Sequence, residues 1–202
     1  MVNETRKMST QKLVLGAILT ALVIVFQFMG SFVRFGPFSI SLVLIPIVIG
    51  AATCGKAVGA WLGLVFGIVV LASGDAAAFL AVNVPGTIIT VLFKGVACGY
   101  FAALAYQTAS KLLERVSQKN GRYFAVIAST VVCPVVNTGV FLIGCLLFFM
   151  DTVAAWTQAA GLGTNVAQYM IFGLVGVNFI FELFTNLILS PIIVRLLNIK
   201  AK

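Results

Sequence analysis

An all-α integral membrane bundle of six transmembrane helices is the fold class this sequence predicts, on three observations. Apolar residues fill 61% of the 202 positions and charged residues only 9%, with a mean hydropathy of +1.15. Those values lie outside the range of soluble domains. The apolar residues fall in stretches near the roughly 20 residues that a helix needs to cross a bilayer core. Between the stretches the basic residues cluster, eleven of the thirteen lying in four patches: Arg6, Lys7 and Lys12; Lys56; Lys111, Arg115, Lys119 and Arg122; Arg195, Lys200 and Lys202.

The first span covers about 11–30 and is too long for a signal-peptide core, so it is expected to remain as a membrane helix. The second, about 39–53, is short and holds Pro46, which marks it as irregular. The third runs over about 56–73 and the fourth over about 86–110. The fifth covers about 123–150 and the sixth about 167–196. Gly36-Pro37, Gly55, Ser73-Gly74, Pro85-Gly86, Gly121 and Gly161 to Gly163 punctuate them as turns or helix ends. The whole chain, 1–202, reads as one membrane domain. Past the fourth span, 108–118 is amphipathic and is expected to continue as helix. The polar stretch 151–166, with Trp156, reads as a longer loop, either a connector or a lid.

Loops rich in Lys and Arg stay in the cytoplasm. That rule places both termini, Lys56 and the 111–122 loop inside. The outer loops then hold Arg34, Asp75, Asn83 and Asp151, which are poor in positive charge. A net charge of +8 raises nucleic acid as a partner. The basic residues flank apolar spans instead of forming a stripe with exposed aromatics, so membrane lipid is the expected partner and nucleic acid is not.

The residue inventory narrows the chemistry. There is no His, and the four Cys stand singly in apolar runs, so no metal centre or cofactor is expected. Gly50 to Ala57 nearly matches a phosphate-binding loop, but Ala57 stands where the magnesium-binding hydroxyl belongs. Neither an ATPase nor any other enzyme is expected. No nucleophile stands beside a base, and an intramembrane enzyme is the weakest reading.

Small residues supply packing faces. Gly55, Gly59, Gly63 and Gly67 form a stripe on the third span, and Gly95 with Gly99 does so on the fourth. Such stripes let helices approach closely. Ala17 and Ala21 make a weaker pair on the first span.

Polar residues inside apolar spans are the strongest site signal. Lys94, Asn137, Asn178 and Glu182 all sit at membrane depth, with Asn186 extending the face of Asn178 and Glu182. Ionisable groups there cost several kcal/mol unless paired or hydrated, so each is a functional candidate. One alternative is a buried Lys94–Glu182 pair that only fixes helix register; the two readings are compatible. Lys94 suits a carboxylate or phosphate. The asparagines and Glu182 suit hydroxyl or amide groups. Asn83 and Thr87 are placed at the mouth of the same pocket. A stand-alone proton-coupled carrier using Lys94 and Glu182 is a second functional class, although no internal repeat supports it.

The run from Phe35 to Gly50, with Gly36-Pro37 and Pro46, followed by the Gly55–Gly67 stripe, resembles the substrate-binding S component of energy-coupling-factor (ECF) vitamin transporters. The resemblance extends to the small size, the six spans and the Ala17/Ala21 pair. It implies high-affinity capture of a vitamin from outside, in a bacterial plasma membrane. It implies partnership with a transmembrane T subunit and two ATP-binding-cassette ATPases, the T subunit docking on the face of Ala17 and Ala21. The stretch from Ser73 through Asp75, Asn83 and Pro85-Gly86-Thr87 to Lys94-Gly95 is most similar to pantothenate-type members. Riboflavin, neutral and aromatic, is the alternative vitamin.

Overall fold

The computed structural model describes residues 10–32, 34–35, 38–39, 42–113 and 118–200, with side chains described within 10–31, 42–113, 121–176 and 178–195. Helix α1 spans Thr10–Phe32. A two-residue ribbon follows, β1 (Arg34–Phe35) pairing antiparallel with β2 (Phe38–Ser39). The chain continues through α2 (Leu44–Cys54), α3 (Lys56–Ala72), α4 (Ala77–Leu80) and α5 (Val84–Leu113). Then come α6 (Gln118–Phe148), α7 (Met150–Ala159), α8 (Val166–Gln168), a π-helical stretch (Tyr169–Gly176) and α9 (Val177–Lys200).

Four helical segments are long and apolar enough to cross a membrane: Thr10–Ser31, Val84–Leu113, Gly121–Phe148 and Asn178–Arg195. Shorter apolar helices cover Leu44–Cys54, Lys56–Ala72 and Val166–Gly176. The second predicted span shrinks most. Its helix begins at Leu44, five residues after the expected start, and its 11 residues rise about 16 Å, half a bilayer core. It serves as a buried strut, with Leu44, Pro46, Ile47, Val48, Gly50 and Ala51 out of contact with lipid. Gly55, at φ +92°, turns the chain straight into α3, a backbone state that L side chains rarely adopt.

Alternating helix directions and small residues build the core. Down the antiparallel α3–α5 seam, Gly59 meets Gly99, Gly63 meets Gly95, and Gly67 meets Val91. A Cβ at Gly63 would overlap the Gly95 carbonyl, and one at Gly99 would overlap that of Gly59. The expected glycine stripe therefore pairs two helices of this chain. On the other side of α5, Ser129 of α6 donates to the Ala102 carbonyl at 2.9 Å, and Gly144 fits against Thr90. Helix α1 lies antiparallel to α2, with Leu19 against Gly50, and parallel to α3, with Gly16 against Val58.

These pairings gather basic residues at one end. Cys54 Sγ lies 4.0 Å from the Lys12 carbonyl oxygen, Gly55 faces Gln107, and the Lys56 ammonium stands 5.7 Å from the Tyr100 ring centre. The opposite end carries Ser31, Asp75 and Asn83.

Several expectations need correction. The stretch 151–166 is not a plain loop: Met150–Ala159 is helical, and turns at Gly161 (φ +74°) and Gly163 (φ +61°) follow. Asp151 in the first turn complements the helix dipole, and Ala154, Ala155 and Ala159 favour helix. The fifth span, expected at 123–150, breaks at Phe149, between α6 and α7. The sixth, expected at 167–196, passes from α8 through eight π-helical residues before α9. The helical continuation of 108–118 is seen to Leu113, and 114–117 lie outside the described residues, as do Arg6, Lys7, Gly36, Pro37, Arg115 and Lys202.

Candidate functional site

Helices α1, α3, α5, α6 and α9 line a cavity of about 80 Å³. Its wall includes Gln27, Phe66, Asp75, Phe79, Lys94, Asn137, Thr138, Phe141, Asn178 and Glu182. The four candidates chosen as polar residues at membrane depth, Lys94, Asn137, Asn178 and Glu182, thus meet around a single space. They come from three helices.

Lys94 is held by aromatic faces. Its ammonium lies 5.3 Å from the Phe66 ring centre and 5.5 Å from that of Phe141, within the range of cation–π attraction. The rings offset part of the loss of water around the charge. Lys94 and Glu182 both line the same void.

Glu182 is 1% exposed. Asn178, one turn before it, donates from Nδ2 to Glu182 Oε1 at 3.0 Å. Asn186, one turn after it, donates to the Glu182 carbonyl oxygen at 2.8 Å and spends its amide on the helix backbone, away from the cavity wall. The π-helical stretch directly precedes this row. Its wider turn re-aims the residues that follow, and such stretches recur at functional sites. Leu174 and Val175 of the stretch join Asn178 and Glu182 in the wall.

Two buried amide oxygens in the cavity wall remain open, as does that of Asn186 outside it. Asn137 Oδ1 and Asn178 Oδ1 have no hydrogen-bond partner among the described residues. Buried polar atoms are seldom left so, because each costs about 1–3 kcal/mol. Asn137 sits one turn beyond Pro134, whose missing N–H interrupts the hydrogen-bond ladder of α6.

Sequence reasoning missed Gln27 and Asp75. Gln27 Nε2 donates to Asp75 Oδ2 at 2.6 Å, and Ser31 Oγ donates to the same oxygen at 2.8 Å. The signal for Gln27 is in the sequence, since it is an amide within an apolar span. Asp75 lies between apolar spans in the sequence, and its reach into the wall depends on the turn at Gly74 (φ +85°).

Phe79 of α4 is part of the cavity wall. Its ring is edge-on to Phe141, Phe149 and Trp156, with centres 5.5, 5.0 and 5.4 Å away. Trp156, expected in a loop, is delivered to this cluster by α7.

Asn83 and Thr87 are not in the cavity wall. Asn83 Oδ1 accepts the Gly86 amide hydrogen at 3.0 Å, which caps the start of α5. Thr87 Oγ1 donates to the Asn83 carbonyl at 2.7 Å. Ala17 and Ala21 are exposed on α1, on a face shared with exposed Leu13, Val14 and Ile18. No group of three or more His, Cys, Asp or Glu suited to a metal ion occurs among the described residues.

The family model for the substrate-specific component of ECF transporters matches residues 11–194, a stretch that takes in every residue of the cavity wall. No curated protein and no solved structure matches the chain.

Proposed function

This chain belongs to the family of ECF transporter substrate-specific components, and on that premise we propose that its central cavity captures a carboxylate-bearing vitamin, pantothenate by best fit. Family membership makes the protein a membrane-embedded, substrate-binding part of a transporter, and such components are not enzymes. The observation that carries the ligand reading is the convergence of Lys94, Asn137, Asn178 and Glu182 on one space. Lys94 provides charge for a carboxylate. The open oxygens of Asn137 and Asn178 accept from hydroxyl or amide N–H groups.

A riboflavin-type ligand is the second reading. Phe66, Phe79 and Phe141 in the wall favour it, because flat aromatic ligands stack on such rings.

The cavity is smaller than the roughly 300–1,000 Å³ of typical small-molecule pockets. Entry of a vitamin therefore requires the wall to widen, and Phe79, carried on the short helix α4, serves in this reading as a roof that moves outward. With the basic end in the bacterial cytoplasm, as the positive-inside rule requires, the roof faces the exterior. Asn83 and Thr87 then act at the mouth by holding the start of α5, next to the roof. The Ala17/Ala21 face, exposed to lipid until then, docks the T subunit, which displaces that lipid and with two ATPases completes the importer.

Native mass spectrometry of the purified protein tests this reading. It should show one small molecule bound per chain, released on denaturation and identified as pantothenate or a close analogue. Co-purification of a cation without a carboxylate would overturn the assignment.

A further inference from the structure

A second concavity lies outside the central site. It is a groove of about 580 Å³ between α1 and α3, lined by Lys12, Gly16, Ala17, Thr20, Ala57, Val58 and Trp61 together with Leu13. We propose that it holds one acyl chain of an anionic phospholipid, with the lipid phosphate on Lys12.

The groove follows from the sequence. Gly16, Ala17 and Thr20 are small, and Ala57 faces them from α3. A trough remains where larger side chains would close the gap between two parallel helices. Trp61 forms one wall and is 53% exposed. Its indole Nε1–H donates to Thr20 Oγ1 at 3.2 Å, and Thr20 in turn donates to the Gly16 carbonyl at 2.8 Å. This chain of bonds fixes the ring and satisfies the polar atoms of the trough internally, so the rest of the wall is apolar. The groove is therefore preformed.

Location and charge select the occupant. Helix α1 is among the segments apolar enough to cross the membrane, so the trough opens toward lipid. An acyl chain is the matching filler. Lys12 stands at one limit of the groove, at the end of the bundle that also carries Lys56. Basic side chains at a membrane surface attract anionic headgroups, by about 1 kcal/mol each. A zwitterionic lipid would fill the groove equally well but gain less at Lys12. The preference for an anionic headgroup is thus the property that separates a site from ordinary solvation by lipid. The inference does not depend on which vitamin the cavity takes.

Fluorescence quenching by lipids with brominated acyl chains tests it. The chain has two tryptophans, and Trp156→Phe leaves Trp61 as the reporter. The protein is reconstituted in phosphatidylcholine bilayers containing a small fraction of brominated phosphatidylglycerol or brominated phosphatidylcholine. Phosphatidylglycerol should quench Trp61 with at least a threefold lower half-maximal fraction. Lys12→Gln should erase that difference. Ala57→Phe, which fills the groove from α3, should reduce quenching by both lipids. Thermal unfolding of each variant confirms that it is folded. Equal quenching by the two lipids before Lys12 is changed would overturn the proposal. So would a preference that survives Lys12→Gln, or quenching unaffected by Ala57→Phe. Loss of quenching only when a partner protein is added, with no lipid preference beforehand, would identify a protein-docking face and also overturn it.

Discussion

The Gln27 side chain donates to Asp75 Oδ2 across 2.6 Å, tying the C-terminal part of the first apolar helix to the turn 48 positions later. Ser31 adds a second bond to the same oxygen. One carboxylate thus fastens α1 to the segment that carries the Phe79 roof, since α4 begins two residues after Asp75.

Cutting this fastening should loosen the roof. Asp75→Ala removes a charged acceptor whose hydrogen bonds are each worth about 1.5–3 kcal/mol at most. Stopped-flow measurement of ligand release should show a faster off-rate, by about tenfold, and Asp75→Asn should recover part of the loss. Identical off-rates in all three proteins would show that the roof is held elsewhere.

Lys94→Met keeps much of the side-chain volume and removes the charge. Binding of a carboxylate ligand should weaken by about 1.5–3 kcal/mol, the scale of a charge-assisted hydrogen bond. The amide or alcohol analogue of the ligand should lose much less. Calorimetric titration of both ligands separates loss of charge recognition from a general disturbance of the cavity.

Phe79→Ala removes the ring that meets Phe141, Phe149 and Trp156. Truncating a buried Phe costs about 3–5 kcal/mol, so the melting temperature should fall. Ligand association should nevertheless become faster, because the roof no longer has to move. A slower association rate would contradict the roof assignment.

The α3–α5 seam makes a stability prediction with its own control. At Gly95 a Cβ would overlap the Gly63 carbonyl, so Gly95→Ala should cost about 1–3 kcal/mol through forced separation of the helices. At Gly139 nothing lies within 4 Å of a Cβ and the backbone is helical. Gly139→Ala should be neutral or slightly stabilising, by up to about 1 kcal/mol. Thermal unfolding in detergent compares the two.

Much of this was legible from residue chemistry alone. Lys94, Asn137, Asn178 and Glu182 stood out because a polar group in hydrocarbon needs a reason, and all four line one cavity. The Gly63–Gly95 contact was foreshadowed by two four-residue repeats of glycine, although sequence could not say that the stripes face each other. What escaped notice has physical causes. Hydropathy reports solvent and not backbone conformation, so α7 looked like a loop. Asn83 was placed near the ligand for its polarity, whereas its local role is to cap α5. The π-helical turn before Asn178 leaves no periodic mark in eight apolar residues. Asp75 joins the site only through a fold-dependent turn.

The face of α1 supplies a test of partnership. Ala17→Trp or Ala21→Trp should abolish uptake in vesicles that contain the T subunit and the ATPases, because a bulky ring blocks close helix approach. Ligand binding to the isolated subunit should be unchanged. Loss of binding would mean that this surface supports the cavity instead.

The most direct test of the central claim is a calorimetric titration of the ligand-free, purified chain with pantothenate, beside the Asn137→Leu variant. The cavity assignment predicts one site per chain in the unmodified protein and at least a tenfold weaker Kd in the variant, whose buried acceptor has been removed. Saturable binding of equal strength in both proteins would place the ligand somewhere other than among Lys94, Asn137, Asn178 and Glu182.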